Sequence, residues 1–180
     1  MDVEQASRMD ELESLLGRWA NFYTAMMQVA AALIGLLFVV IALGAQQGVK
    51  AGKNAAKISV YMTPPVIYFA AVLILSALLT FPSHTLLTAT LCTVLLGTGG
   101  IVYTSCLIGN RKSYEEKQDL IVYAILPFAA HAMLVVGGIL LLSNPRLGLT
   151  LVALGMLSLL TISIRNSWAI AIDVVRRDRS

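Results

Sequence analysis

The run from Val29 to Ala45 holds seventeen residues without one polar side chain. With the flank from Phe22 it covers about 30 Å as a helix, enough to cross a bilayer. The whole first apolar stretch is 19–44, and four of similar character follow at about 58–81, 85–108, 120–142 and 147–164, the last with a helical extension through Arg165, Asn166 and Trp168 into Arg176-Arg177. This pattern predicts an all-α membrane protein, a bundle of five transmembrane helices. Only 13 % of the residues are charged, against about 25 % in a soluble domain, so water is not the solvent for most of this surface. A length of 180 residues leaves room for one membrane domain, 19–175, and no sizeable soluble one.

Residues 1–18 read as a short amphipathic N-terminal helix. Val3, Ala6, Met9, Leu12 and Leu16 recur at helical spacing, and Glu4, Arg8, Asp10, Glu11 and Glu13 take the other face. Five acids against two arginines favour packing on protein over lying on anionic lipid. The acidic start does not have the form of a secretory signal.

Lys and Arg are distributed unevenly. With five spans, the N-terminal side holds Arg8, Arg18 and Arg146, and the other side holds ten basic residues, including Lys50, Lys53, Lys57 and the tail at 176–180. Ten against three is a positive-inside bias, which predicts the N-terminus outside and the C-terminus in the cytoplasm. It also accounts for the net charge of +3 without nucleic acid. Cys92 and Cys106 read as small buried residues. One helix would hold them about 21 Å apart, too far to bond.

Several local features shape the spans. Thr63-Pro64-Pro65 predicts a kink or a late helix start in the second. The short turn Phe81–His84 predicts that spans two and three form a hairpin. In the third span Thr90, Thr93, Gly97, Gly100 and Thr104 make one smooth face, a close-packing surface expected to serve assembly between copies. Trp19, Phe22 and Tyr23 suit an interfacial belt.

Polar groups inside spans mark candidate sites. His131 falls about 17 Å from either end of its span, and Tyr68 and Gln28 fall at comparable depths. The three are expected to meet in one polar pocket. Pro127 frees the carbonyl of Tyr123 as a further acceptor. Packing glue, a proton relay, ligand binding and a metal or haem role are all open to His131. Arg165 and Asn166, with Asp173 two turns on, form a second candidate at the cytoplasmic end. They read either as an anion or lipid-headgroup site or as a snorkelling arginine beside Trp168. There is no Gly-rich phosphate loop, no metal-ligand spacing and no pair of carboxylates, so neither an enzyme nor a cofactor is expected.

Four segments together are familiar: NFYTAMMQVAAALIGLLFVVIAL at 21–43, MTPPVIYF at 62–69, VYAILPFAAH at 122–131 and ISIRNSWAIAIDVV at 162–175. They resemble a group of small, uncharacterised bacterial membrane proteins. In that group a histidine is expected where Tyr68 stands, a tyrosine where His131 stands, and His-Asn-Ala-Trp-Asp where this chain has 165–169. The resemblance implies a five-span protein of the bacterial inner membrane and brings no activity with it. Five spans are few for a self-contained transporter. The expectation is therefore a homo-oligomeric channel or small-solute facilitator, lined by Thr24, Gln28, Ala32 and Gly35. The alternative is a non-catalytic accessory or scaffolding subunit of a larger membrane complex.

Overall fold

The structure, a computed structural model, describes residues 3–46, 53–81, 85–109 and 120–177. These residues form helices and no strand. The helices are α1 (Val3–Gln46), α2 (Lys53–Leu79), α3 (Leu86–Gly109), α4 (Leu126–Leu140) and α5 (Pro145–Arg177), with one wide π turn at Ile121–Ile125 leading into α4. Among the described residues, four segments are long and apolar enough to cross a membrane: Gly17–Ala42, Leu87–Gly109, Ile121–Leu140 and Pro145–Ala169. Among the residues whose side chains are described, the apolar part of α2 is Thr63–Leu79, which is shorter.

Several boundaries differ from the sequence expectation. No break separates 3–18 from the first span, because α1 runs through as one helix of 44 residues. The sole weak helix former at the junction is Gly17. It costs about 1 kcal/mol relative to alanine, too little to end a helix continued on both sides. At about 1.5 Å per residue α1 is about 65 Å long, so its first turns extend well past Gly17. There is no late start in α2, since Pro64 and Pro65 sit inside it, more than two turns after Lys53. The helix of the fifth span runs on past 164 to Arg177, along the extension expected from the sequence. The tail residues 178–180, the loop 110–119, Lys50 and His84 lie outside the described residues. The amphipathic reading of residues 3–13 rests on side chains that also lie outside them.

The spans pair in an order that the turns alone do not give. The main neighbours of α4 are α5 and α3, while α2 bridges α1 and α5. The expected hairpin partner of α3 is α2, yet α3 packs chiefly on α4. The reason is the small-residue face. A Cβ built on Gly97 would lie 2.8 Å from Val135 Cγ2, and one on Gly138 would lie 2.9 Å from Val94 Cγ2. Thr90, Thr93 and Thr104 are buried along the same face. Thr93 and Thr104 keep their hydroxyls on their own helix, at Ala89 O and Gly100 O, both at 2.8 Å. This face is thus used within the chain, and the expected assembly surface is not free for a second copy.

A tight turn joins α4 to α5. Asn144 N–H donates to Leu140 O at 2.7 Å, and its Oδ1 accepts the Leu147 N–H at 3.2 Å. Asn144 is therefore the N-cap of α5 with Pro145 at the first helical position, where a missing N–H costs nothing. Just above, the two backbones nearly touch. A Cβ on Gly148 would lie 2.7 Å from Leu141 N and 2.9 Å from Gly137 O.

Tyr23 leaves the expected belt. It is fully buried and stacks with Trp19 at 6.1 Å and edge-to-face with Phe22 at 5.3 Å. It belongs to the apolar cluster that also contains Tyr68, Leu75 and Met156. Of the two cysteines, Cys92 is partly buried and Cys106 is exposed, so the buried reading fails for Cys106. The outer sides of α1 and α3 carry Leu36, Phe38, Leu91, Leu95 and Val102, all at least half exposed. So wide an apolar surface suits hydrocarbon, not water.

Gly148→Ala is expected to lower the melting temperature in detergent, because its Cβ meets backbone that cannot rotate away; overpacking of this kind costs about 1–3 kcal/mol. Gly99→Ala, with open space at the Cβ, is expected to leave it unchanged or raise it slightly. Circular dichroism melts of both variants check the contrast.

Candidate functional site

The centre of the bundle is organised by Pro127. In an α-helical ladder, the N–H of residue 127 would meet the carbonyl of Tyr123, and proline has none to give. The chain responds by widening one turn, and the Leu126 N–H reaches back to Ile121 O. Tyr68 on α2 then supplies the missing donor, with its hydroxyl donating to Tyr123 O at 2.8 Å. Both residues are buried. The proline thus creates the acceptor on which a neighbouring helix docks.

One turn later stands His131, 1 % exposed. Its Nδ1 lies 2.7 Å from Pro127 O. A carbonyl only accepts, so Nδ1 carries the proton, and in the neutral ring Nε2 is left as an acceptor. That Nε2 is buried and has no partner. The imidazole lies flat on α3 where Gly100 has no side chain. Any Cβ there would overlap Cδ2 and Nε2 of the ring. Tyr68 covers the other side, with ring centroids 5.6 Å from His131 and 6.1 Å from Tyr103.

Two of the three residues expected to share a pocket are therefore together. Tyr68 and His131 meet through their rings, not by a hydrogen bond. Gln28 is not with them. It lies exposed on the outer face of α1 with Ala32 and Gly35. The reason is rotational: Tyr23, Met26, Ala30 and Leu37 take the buried side of α1, and Gln28 projects from the opposite one. Thr24 is half-buried between them. Tyr103 was not singled out by sequence, although its place one turn beyond Gly100 on the His131-facing helix marks it.

The second candidate lies at the C-terminal end of the α5 span. Arg165 is exposed, and its Nη1 points to Asn166 Oδ1 at 3.4 Å, a long contact. Asn166 is fully buried, and its Nδ2 has no partner. Asp173, the expected partner of Arg165, has a side chain outside the described residues. Ser163 and Ser167 also place unpartnered hydroxyls here. They were missed, though the spacing 163, 166 and 167 puts them on one helical face.

Among the described residues no three His, Cys, Asp or Glu side chains cluster as metal ligands. The central site offers aromatic faces, one lone pair and a sealed interior. No family model, curated protein or solved structure matches the chain.

Tyr68→Phe is expected to cost about 1 kcal/mol of stability through the lost hydroxyl. In a Pro127→Ala background the restored N–H competes for Tyr123 O, so the same change is expected to cost less. A double-mutant cycle by thermal melts reads the difference; additive effects would show that the two groups do not share this carbonyl.

Proposed function

We propose that the chain is a five-span protein of the bacterial inner membrane with its N-terminus outside, and that copies assemble into a channel or facilitator for a small neutral solute. For α2 to count as a span, its apolar stretch is extended back through Ile58, Ser59, Val60, Tyr61 and Met62. The helix, 27 residues in all, is then long enough to cross. The distribution of Lys and Arg supports the orientation.

The observation that carries the assembly is Gln28. It points outward from the middle of an apolar segment, and it makes no hydrogen bond to the described residues. A primary amide facing hydrocarbon is costly. The same amide in a neighbouring copy both donates and accepts, and can satisfy it. Ala32 and Gly35, one and two turns on, leave room for close approach. No charged residue occurs from Trp19 to Val49. A path along this stripe would therefore favour small neutral molecules over ions.

A second reading, an accessory subunit of a larger membrane complex, draws on the first turns of α1. Sixteen helical residues, 3–18, precede the apolar stretch that opens at Trp19. They reach about 24 Å beyond it, a suitable arm for a protein partner.

Native mass spectrometry from detergent is expected to show a closed ring of four or more copies, and Gln28→Leu is expected to reduce both the ring and solute flux in liposomes by about tenfold. A monomer would remove the channel and leave the accessory reading.

A further inference from the structure

Exposed side chains on the apolar helices are of two kinds. On α3 the line Leu87, Leu91, Leu95 and Val102 is large and aliphatic, as suits lipid tails. On α1 the line Asn21, Ala25, Gln28, Ala32, Gly35 and Ala42 is exposed as well, and it is small or polar. Leu36 and Phe38 flank it, 61 % and 58 % exposed. The line runs the length of the membrane-crossing segment of α1.

Two features of this line have no explanation within one copy. Asn21 and Gln28 make no hydrogen bond to the described residues. Each amide has two N–H donors and an acceptor oxygen, and hydrocarbon satisfies none of them. The exposed Ser105, Thr150 and Thr161, by contrast, return their hydroxyls to the carbonyl four residues back. Gly35 is the second feature. Glycine weakens a helix relative to alanine, yet a Cβ at Gly35 would meet nothing within 4 Å. At Gly97, Gly100 and Gly148 a neighbouring helix accounts for the missing side chain, and at Gly35 no helix of the same chain does.

Spacing shows how a second helix would lie. Asn21, Gln28, Gly35 and Ala42 recur every seven residues, and Ala25 and Ala32 are also seven apart. A seven-residue repeat keeps one seam against a partner helix when the two wind in a left-handed supercoil. The Lys and Arg distribution gives every copy one orientation. Copies related by an axis along the membrane normal therefore place their α1 helices parallel. Each Asn21 then stands level with the Asn21 of another copy, and each Gln28 with another Gln28. An amide complements itself, because each donates to the other's oxygen. A different protein would need polar groups of its own at both levels, about 10 Å apart along the helix. A second copy has them by identity.

We propose that copies of this chain meet through the outer face of α1, with the helices parallel and in register, so that Asn21 faces Asn21 and Gln28 faces Gln28 across the seam. The contact rests on the assembly proposed above and gives it one face, one direction and one register.

The test uses the full chain in liposomes with Cys92→Ala and Cys106→Ala, carrying one new cysteine. Ala25→Cys, Ala32→Cys and Gly35→Cys lie on the line, and Val29→Cys and Leu36→Cys lie beside it. Disulfide-linked dimers formed under mild oxidation are counted on gels, and native mass spectrometry gives the copy number. Linking on the line is expected to be about tenfold or more faster than beside it. Ala25→Cys copies mixed with size-tagged Ala32→Cys copies are expected to link to their own kind and not to each other. Asn21→Leu with Gln28→Leu is expected to slow linking at Ala32→Cys about tenfold, and Asn21→Leu with Gln28→Asn to slow it less. A dimer that links in this pattern supports the contact and removes the channel. A closed assembly that links as fast at Val29→Cys and Leu36→Cys, or between unlike positions, overturns the contact and leaves the assembly. Linking at Ala32→Cys unchanged by the two leucines also overturns it. A monomer that links nowhere removes both.

Discussion

A helix in hydrocarbon must satisfy its backbone from within, because no water is there to help. In this chain regular ladders meet that demand over most of the described helices, and the centre of the bundle is arranged around the repair of the break before Pro127. The ladder widens to a π turn, and Tyr68 from another helix donates to the stranded carbonyl of Tyr123. A local defect at the start of α4 thereby becomes the tie that locates α2. His131, whose ring hydrogen-bonds the carbonyl of the same proline, fills the next level against Gly100 and Tyr68.

Close backbone approach is the second condition. Gly97, Gly100, Gly137, Gly138 and Gly148 stand where any Cβ would meet a neighbouring helix at 3.0 Å or less. Without a strong hydrophobic drive between helices in lipid, such dispersion contacts supply much of the attraction. They explain why α3 turns to α4 and not to its sequence neighbour α2. They also use up the smooth face of α3 inside the chain.

Much of this could be read from residues one at a time. The freed Tyr123 carbonyl followed from Pro127, and the proximity of Tyr68 to His131 followed from depth. Depth alone misplaced Gln28, because it fixes position along the membrane normal and says nothing of rotation about a helix axis. The same blindness put Tyr23 in an interfacial belt and Cys106 in the interior. Ser163 and Ser167 were hidden for another reason. A hydroxyl in a helix normally serves its own backbone, and only coordinates reveal one that does not.

The sequence by itself determined that the chain is helical, that long apolar segments dominate it, and where polar side chains interrupt them. These follow from period, length and composition, which are local properties. Which helices touch, which face of α1 looks outward and which donors remain unpaired were decided by tertiary structure alone. Each depends on how several helices rotate together to bring glycines opposite bulky neighbours, and no single segment encodes that rotation.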